Sequence, residues 1–202
     1  MTTPTVRQPS QTRPELDYWP PPQGQWTYPD YRRLPDNGMR YEIIRGELFM
    51  SPAPRPKHQE VSLNLALAMH QFVKEHGLGK VYSAPIDLIL PDLANPVQPD
   101  LLFIRQERLA MVKENFIEGA PDLIVEVLSP SNPDLDRRIK FQIYAQAGVA
   151  EYWLVDPEHR QIEVYVLRGQ AYALAGTFGP EQQLRSEVLA AFAGPVGEIC
   201  PP

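Results

Sequence analysis

The sequence predicts an α/β domain built on a central mixed β-sheet flanked by helices. Three observations carry that prediction. Short β-branched and aliphatic runs bounded by Pro, Gly or Asn recur along the chain, as buried strands do. Two segments with helical spacing, near residues 57–76 and 133–147, are separated by a run of such strands. A chain of 202 residues supports one domain with a substantial core and not two large ones.

Met1 to about Pro35 is proline-rich and lacks hydrophobic periodicity, so residues 1–37 are expected to form an arm, docking through Tyr18, Trp19, Trp26 and Tyr28. Residues 38–202 then form the domain. Ordered structure is expected from Tyr41, where Tyr41 to Met50 reads as two strand halves broken at Gly46, a hairpin or a bulge. Val61, Leu65, Ala68, Met69, Phe72 and Val73 place a helix over Lys57 to His76, with Gly77 at its left-handed end. Val81 to Leu90 is a strand interrupted at Pro85, Val97 to Ile104 the next strand, and Glu107 to Asn115 a short helix.

Asp122 to Leu128 forms a further strand. After it, Asn132 suits an N-cap and Pro133 the first position of a helix ending at Gly148. Glu151 to Val155 and Ile162 to Leu167 form a hairpin around Asp156-Pro157, Tyr172 to Phe178 adds an edge strand, and Val188 to Ile199 packs on the core.

Composition excludes several classes. A formal charge of -6 and a pI near 5.3 argue against coating nucleic acid by bulk electrostatics. The single cysteine, Cys200, leaves no disulfide framework and no Cys-rich zinc site. No apolar run approaches the roughly 18 residues of a membrane helix, and residues 1–20 lack a secretory core. The expected address is the cytoplasm, without membrane association.

The chemistry lies in two carboxylates placed inside apolar runs, Asp100 and Glu126. Burying a charge is expensive unless it is paired or coordinated, and a divalent ion held across two adjacent strands answers both. Asp122 is the poorer partner for Glu126, since four residues along one strand separate the two by roughly 13 Å, against about 4.8 Å between neighbouring strands. Asp122 reads instead as a residue opening its strand. An ion at Asp100 and Glu126 would also reach the backbone carbonyl of Val127, and such hard oxygen ligands favour Mg²⁺ or Mn²⁺. Lys140, on the following helix, is the candidate to position a water. It shares one helix face with Asp136 and Tyr144, a pattern that also fits an exposed salt bridge beside an aromatic.

Gln98-Pro99-Asp100, Pro121 to Ser131, the set Asp136, Lys140 and Tyr144, and Gly148 to Pro157 together resemble the Uma2 family of restriction-endonuclease-like proteins, within the PD-(D/E)XK nuclease superfamily. The likeness extends upstream through Tyr41 to Leu48 and His58-Gln59, covering roughly residues 39–168. It implies a restriction-endonuclease-like core and metal ligands at Asp100 and Glu126. In the superfamily pattern a lysine follows two residues after the acid; here that position is Leu128, and the resemblance implies that Lys140 supplies the ammonium instead.

The expected activity is Mg²⁺-dependent hydrolysis of DNA phosphodiester bonds, with a homodimer or higher homo-oligomer suited to cutting both strands. The alternative is a catalytically silent nuclease-fold module that binds nucleic acid or a protein partner. Hydrolysis of another phosphate ester also fits two carboxylates and a lysine. Glu42 is either a further acidic member of the site or a solvated strand residue, and His58 either a phosphate contact or a capping-region histidine. Glu47 reads as a turn residue and Trp153 as core. Arg137 and Arg138 fit a nucleic-acid backbone or a solvated helix face. His70, His76 and His159 show no metal-ligand spacing.

Overall fold

The structure, a computed structural model, describes residues 19–129 and 134–202. The expectations for Tyr18 and the first half of the arm, and for Asn132 and Pro133 at a helix start, lie outside the described residues.

In chain order the elements begin with α1 (Tyr28–Tyr31), β1 (Arg40–Ile44), β2 (Glu47–Ser51), α2 (Pro56–Glu75) and β3 (Gly79–Ser83). Next come β4 (Leu88–Leu90), β5 (Ala94–Val97), β6 (Leu101–Arg105), a 3₁₀ turn (Gln106–Met111), β7 (Ile117–Glu118) and β8 (Leu123–Val127). A π-helical turn (Leu135–Lys140) leads into α3 (Phe141–Ala147), followed by β9 (Glu151–Asp156), β10 (Gln161–Arg168) and β11 (Ala171–Phe178). The chain closes with β12 (Gln183–Arg185), β13 (Ala193–Pro195) and α4 (Val196–Ile199).

The central sheet runs β11-β10-β9-β8-β6-β3. It is mixed, because β8 and β9 pair in parallel and the other neighbours are antiparallel. A second sheet, β2-β1-β5-β4-β7, stands against one of its faces. Alternation along each central strand divides the core in two. Leu101, Phe103, Val125, Val127 and Trp153 face α2 residues Val61, Leu65, Met69 and Val73, together with Leu189, Phe192, Val196 and Ile199 of the tail. Leu102, Ile124, Leu128, Tyr152 and Leu154 face Ile44, Leu88, Leu90 and Val97 of the second sheet and Ile143 and Tyr144 of α3.

The first hairpin closes through Arg45 and Gly46, both at positive φ, 52° and 76°. Two such residues in succession twist a two-residue loop the way its flanking strands twist. Gly148 ends α3 in the left-handed conformation, where a side chain would be strained.

Several boundaries depart from the sequence reading. The expected strand Val97 to Ile104 is split: β5 belongs to the second sheet and β6 to the central one, with Gln98-Pro99-Asp100 crossing between them. Pro99 has no N–H to give a ladder, so the break falls there. Val81 to Leu90 divides the same way at Pro85, into β3 and β4. The short helix after β6 is a 3₁₀ turn, and the first part of the helix before Gly148 is π rather than α.

Structure also begins before Tyr41. Trp26 is buried and donates its N–H to Gly46 O (2.9 Å), while Gln23 bonds both backbone groups of Leu48. Gln23 and Trp26 thus tie the segment before α1 to the first hairpin, while Tyr28 and Tyr31 bond Asp87. Among the described residues no helix is long and apolar enough to cross a membrane.

Candidate metal centre

The β6–β8 register places Leu101 opposite Val125, Leu102 opposite Ile124 and Phe103 opposite Leu123, so one step further Asp100 falls opposite Glu126. Both project from the face of the central sheet that carries Leu102 and Ile124. Each is 3% exposed or less. They line one cavity of about 50 Å³ with Arg40, Glu42, His58, Asp136 and Lys140.

Asp100 is held from three directions. Its Oδ2 accepts the Val127 N–H (2.8 Å) and faces His58 Nε2 at 3.1 Å, and its Oδ1 accepts from Arg40 Nη1 at 3.0 Å. Burial by itself raises a carboxyl pKa; here the His58 ring, the Arg40 guanidinium and the Val127 N–H outweigh it and hold Asp100 at about 2.

Glu126 answers to the helix. Its Oε1 accepts from Lys140 Nζ at 3.1 Å and from the Tyr144 hydroxyl at 2.8 Å. Lys140 Nζ also lies 3.0 Å from Glu42 Oε1 and 3.4 Å from Asp136 Oδ1. Three carboxylate oxygens thus surround an ammonium that has three protons. The π-helical turn carries Asp136 and Lys140 on one side, and π turns of this kind often occur at functional sites. Glu42 is pinned in turn by the Gln98 N–H, 2.8 Å from its Oε1.

Electrostatics are unbalanced toward the negative. Four carboxylates, Glu42, Asp100, Glu126 and Asp136, share the cavity with two fixed cations, Arg40 and Lys140. The consequence appears in the titration of Glu126, Asp136 and Lys140. Burial, then Asp136, Asp100 and Glu42, push Glu126 well above the usual range against the pull of Lys140. Burial likewise raises Asp136 to about 6, with Lys140 opposing and Glu42 and Asp100 assisting. Burial disfavours the Lys140 ammonium, yet Glu126, Glu42 and Asp136 raise its pKa well above the ordinary value. The lysine keeps its proton and the acids compete for more positive charge.

A hard divalent ion fits that chemistry. Among the described residues no three His, Cys, Asp or Glu side chains are grouped to hold a metal. Two carboxylates with a backbone oxygen and waters is, however, a usual Mg²⁺ environment. One buried polar atom stands out: among the described residues His58 Nδ1 is buried without a hydrogen-bond partner. Such an atom calls for a bond from solvent or ligand.

The other candidates lie elsewhere. Asp122 accepts the Arg105 N–H (2.9 Å) and pairs with Arg108 (2.7 Å), a closed contact away from the cavity. Arg137 bonds Glu163 at 2.9 Å, and Arg138 is exposed beside Asp134. His76 bonds Phe72 O and His159 contacts Asp156. Trp153 is fully buried, its indole N–H donating to Glu151. Glu47 is exposed at the hairpin turn.

Sequence reasoning missed Arg40 and the supporting role of Gln98. Arg40 had a signal, since it stands two residues from Glu42 and so shares its strand face. Gln98 had none beyond adjacency to Pro99-Asp100. Its amide bonds Asp87 (2.8 Å) and the Tyr31 hydroxyl (3.1 Å), contacts no pattern foretells.

The fold is similar to the crystal structure of a "putative nuclease belonging to DUF820" from Anabaena variabilis, with a TM-score of 0.71 at 19% identity. The superposition covers 86% of this chain and 97% of that one. No curated protein matches the sequence. A family model described as "Putative restriction endonuclease" spans residues 28–197, taking in both sheets and every residue of the cavity, and by that match the chain belongs to the Uma2 family.

Proposed function

We propose that this chain is a divalent-metal-dependent endonuclease that hydrolyses DNA phosphodiester bonds. The observation that carries the reading is the placement of Lys140 Nζ 3.1 Å from Glu126, in one cavity with Asp100, which immediately precedes the adjacent strand β6. Family membership and the nuclease-like fold support the reaction class.

Asp100, Glu126 and the Val127 carbonyl would hold Mg²⁺ or Mn²⁺, which supplies charge stabilisation at the phosphoryl group and acidifies bound water. Tyr144 fixes the Glu126 carboxylate by donating to the oxygen that also accepts from Lys140. Lys140 would position the attacking water. Its three protons face Glu42, Glu126 and Asp136, and the Asp136 contact is the longest at 3.4 Å. Releasing Asp136 gives the ammonium a proton to direct at water. His58 and Glu42 complete the site: His58 flanks Asp100, and Glu42 anchors the lysine.

The full engagement of that ammonium favours one alternative, a catalytically silent nuclease-fold module binding nucleic acid or a protein partner. Calorimetric titration with Mg²⁺ and Mn²⁺, followed by incubation with supercoiled plasmid, separates the two. Metal binding with nicking that Glu126→Gln abolishes supports the endonuclease. Metal binding without cleavage of plasmid or single-stranded DNA supports the module.

A further inference from the structure

The cavity around Asp100 and Glu126, about 50 Å³, has room for an ion and a few waters but not for a nucleotide. The bulk of any substrate must lie next door. A groove of about 380 Å³ adjoins it, and Arg40, His58 and Asp100 border both spaces, as do Pro52 and Pro54. The groove runs between the loop before β1 and the first turns of α2, where Gln59 and Ser62 stand.

We propose that this groove is the channel for one nucleic-acid strand and that Arg40 is its phosphate ligand; the inference rests on the nuclease reading above. The groove's lining carries Asp36 and Asp100 as well as Arg40, so it is the free donors, not a surplus of positive charge, that fit a phosphodiester backbone. Both hydrogen bonds of the Arg40 guanidinium among the described residues, to Asp100 Oδ1 and Gln98 O, are made through Nη1. Nε and Nη2 remain for an anion, and a guanidinium fork matches two phosphate oxygens. Its side chain is 21% exposed, so it reaches the groove without leaving Asp100. His58, whose Nδ1 is buried without a hydrogen-bond partner among the described residues, also lines the groove.

The test is fluorescence anisotropy of the full chain with a labelled single-stranded DNA oligonucleotide in EDTA, where metal-dependent cleavage cannot intervene. A duplex, a neutral methylphosphonate oligonucleotide and inorganic phosphate serve as the other arms. Wild type is expected to bind the charged oligonucleotide with an affinity that falls as salt rises. Arg40→Gln should weaken it about tenfold, the loss of one charge-assisted contact. Gln59→Glu, at an exposed position lining the groove, should weaken it as well and serves if Arg40→Gln fails to fold. Equal binding by a folded Arg40→Gln and by Gln59→Glu, equal binding of the methylphosphonate, or full displacement by inorganic phosphate at matched phosphate concentration overturns the channel. The two readings fail separately: groove-dependent binding without cleavage in Mg²⁺ or Mn²⁺ removes the endonuclease and keeps the channel. Cleavage insensitive to both groove substitutions does the reverse.

Discussion

Lys140 Nζ, at the end of the π-helical turn, lies 3.1 Å from Glu126 Oε1 of β8. Both side chains are almost fully buried. Their pairing therefore bears on stability whatever the protein catalyses.

Removing the cation should be costly. Lys140→Met leaves Glu42 and Glu126 facing each other without an ammonium, and breaking one side of a buried ion pair costs about 3–5 kcal/mol. Urea unfolding should record that loss. The double variant Lys140→Met/Glu126→Gln should lose less than the sum of the single losses, and additivity would disprove the coupling.

Acid should reveal Asp100. Its folded pKa of about 2 lies below the ordinary 3.8, so its contribution is present above about pH 4 and is lost as pH falls toward 2. The magnitude is on the order of 2 kcal/mol. Unfolding free energies of wild type and Asp100→Asn, compared from pH 5 downward, should converge as the pH falls, and a constant gap would contradict the assignment.

Asp136 should act with the opposite sign in a different window. Its folded pKa is raised to about 6, so the folded state holds a proton that the unfolded state releases, and stability declines as pH climbs from about 4 to about 6. Asp136→Asn should make that decline shallower, Glu126 supplying the remainder, and leave the acid limb unchanged. An unaltered slope in urea titrations across the same range would place the proton elsewhere.

A divalent cation should stabilise the fold. An ion that binds only the native state adds about 2.7 kcal/mol at a hundredfold excess over its Kd. Mg²⁺ or Mn²⁺ should raise the melting temperature of wild type, EDTA should reverse the rise, and Asp100→Asn and Glu126→Gln should each abolish it. An equal rise in all three proteins would mean that the ion binds elsewhere.

Much of this architecture is legible in the chain because it follows local rules. Period-two alternation put Glu126 with Ile124 and Leu128 on one face, and the fold keeps them there. Helical spacing put Asp136, Lys140 and Tyr144 on one side, a relation that survives even though Asp136 to Lys140 winds as a π turn. What escaped is non-local. No periodicity tells that Pro99 marks a crossing between two sheets, because Val97 to Ile104 is apolar enough to pass for one strand. Nor does sequence reveal that Arg40 spans 60 residues to reach Asp100, or that Gln98 links Glu42 to Asp87 and Tyr31. Those contacts exist only once the second sheet stands against the first.

The central claim is that Lys140 works from the helix in place of the lysine missing at Leu128. The direct measurement is the rate of supercoiled plasmid nicking in Mg²⁺ and in Mn²⁺ by wild type and by Lys140→Arg, which keeps the buried charge, with folding checked by circular dichroism. The account predicts metal-dependent nicking by wild type and a loss of at least about a hundredfold in a folded Lys140→Arg, of the size that general acid–base contributions reach. Equal rates in the two proteins, or no cleavage by wild type in either metal, would contradict it.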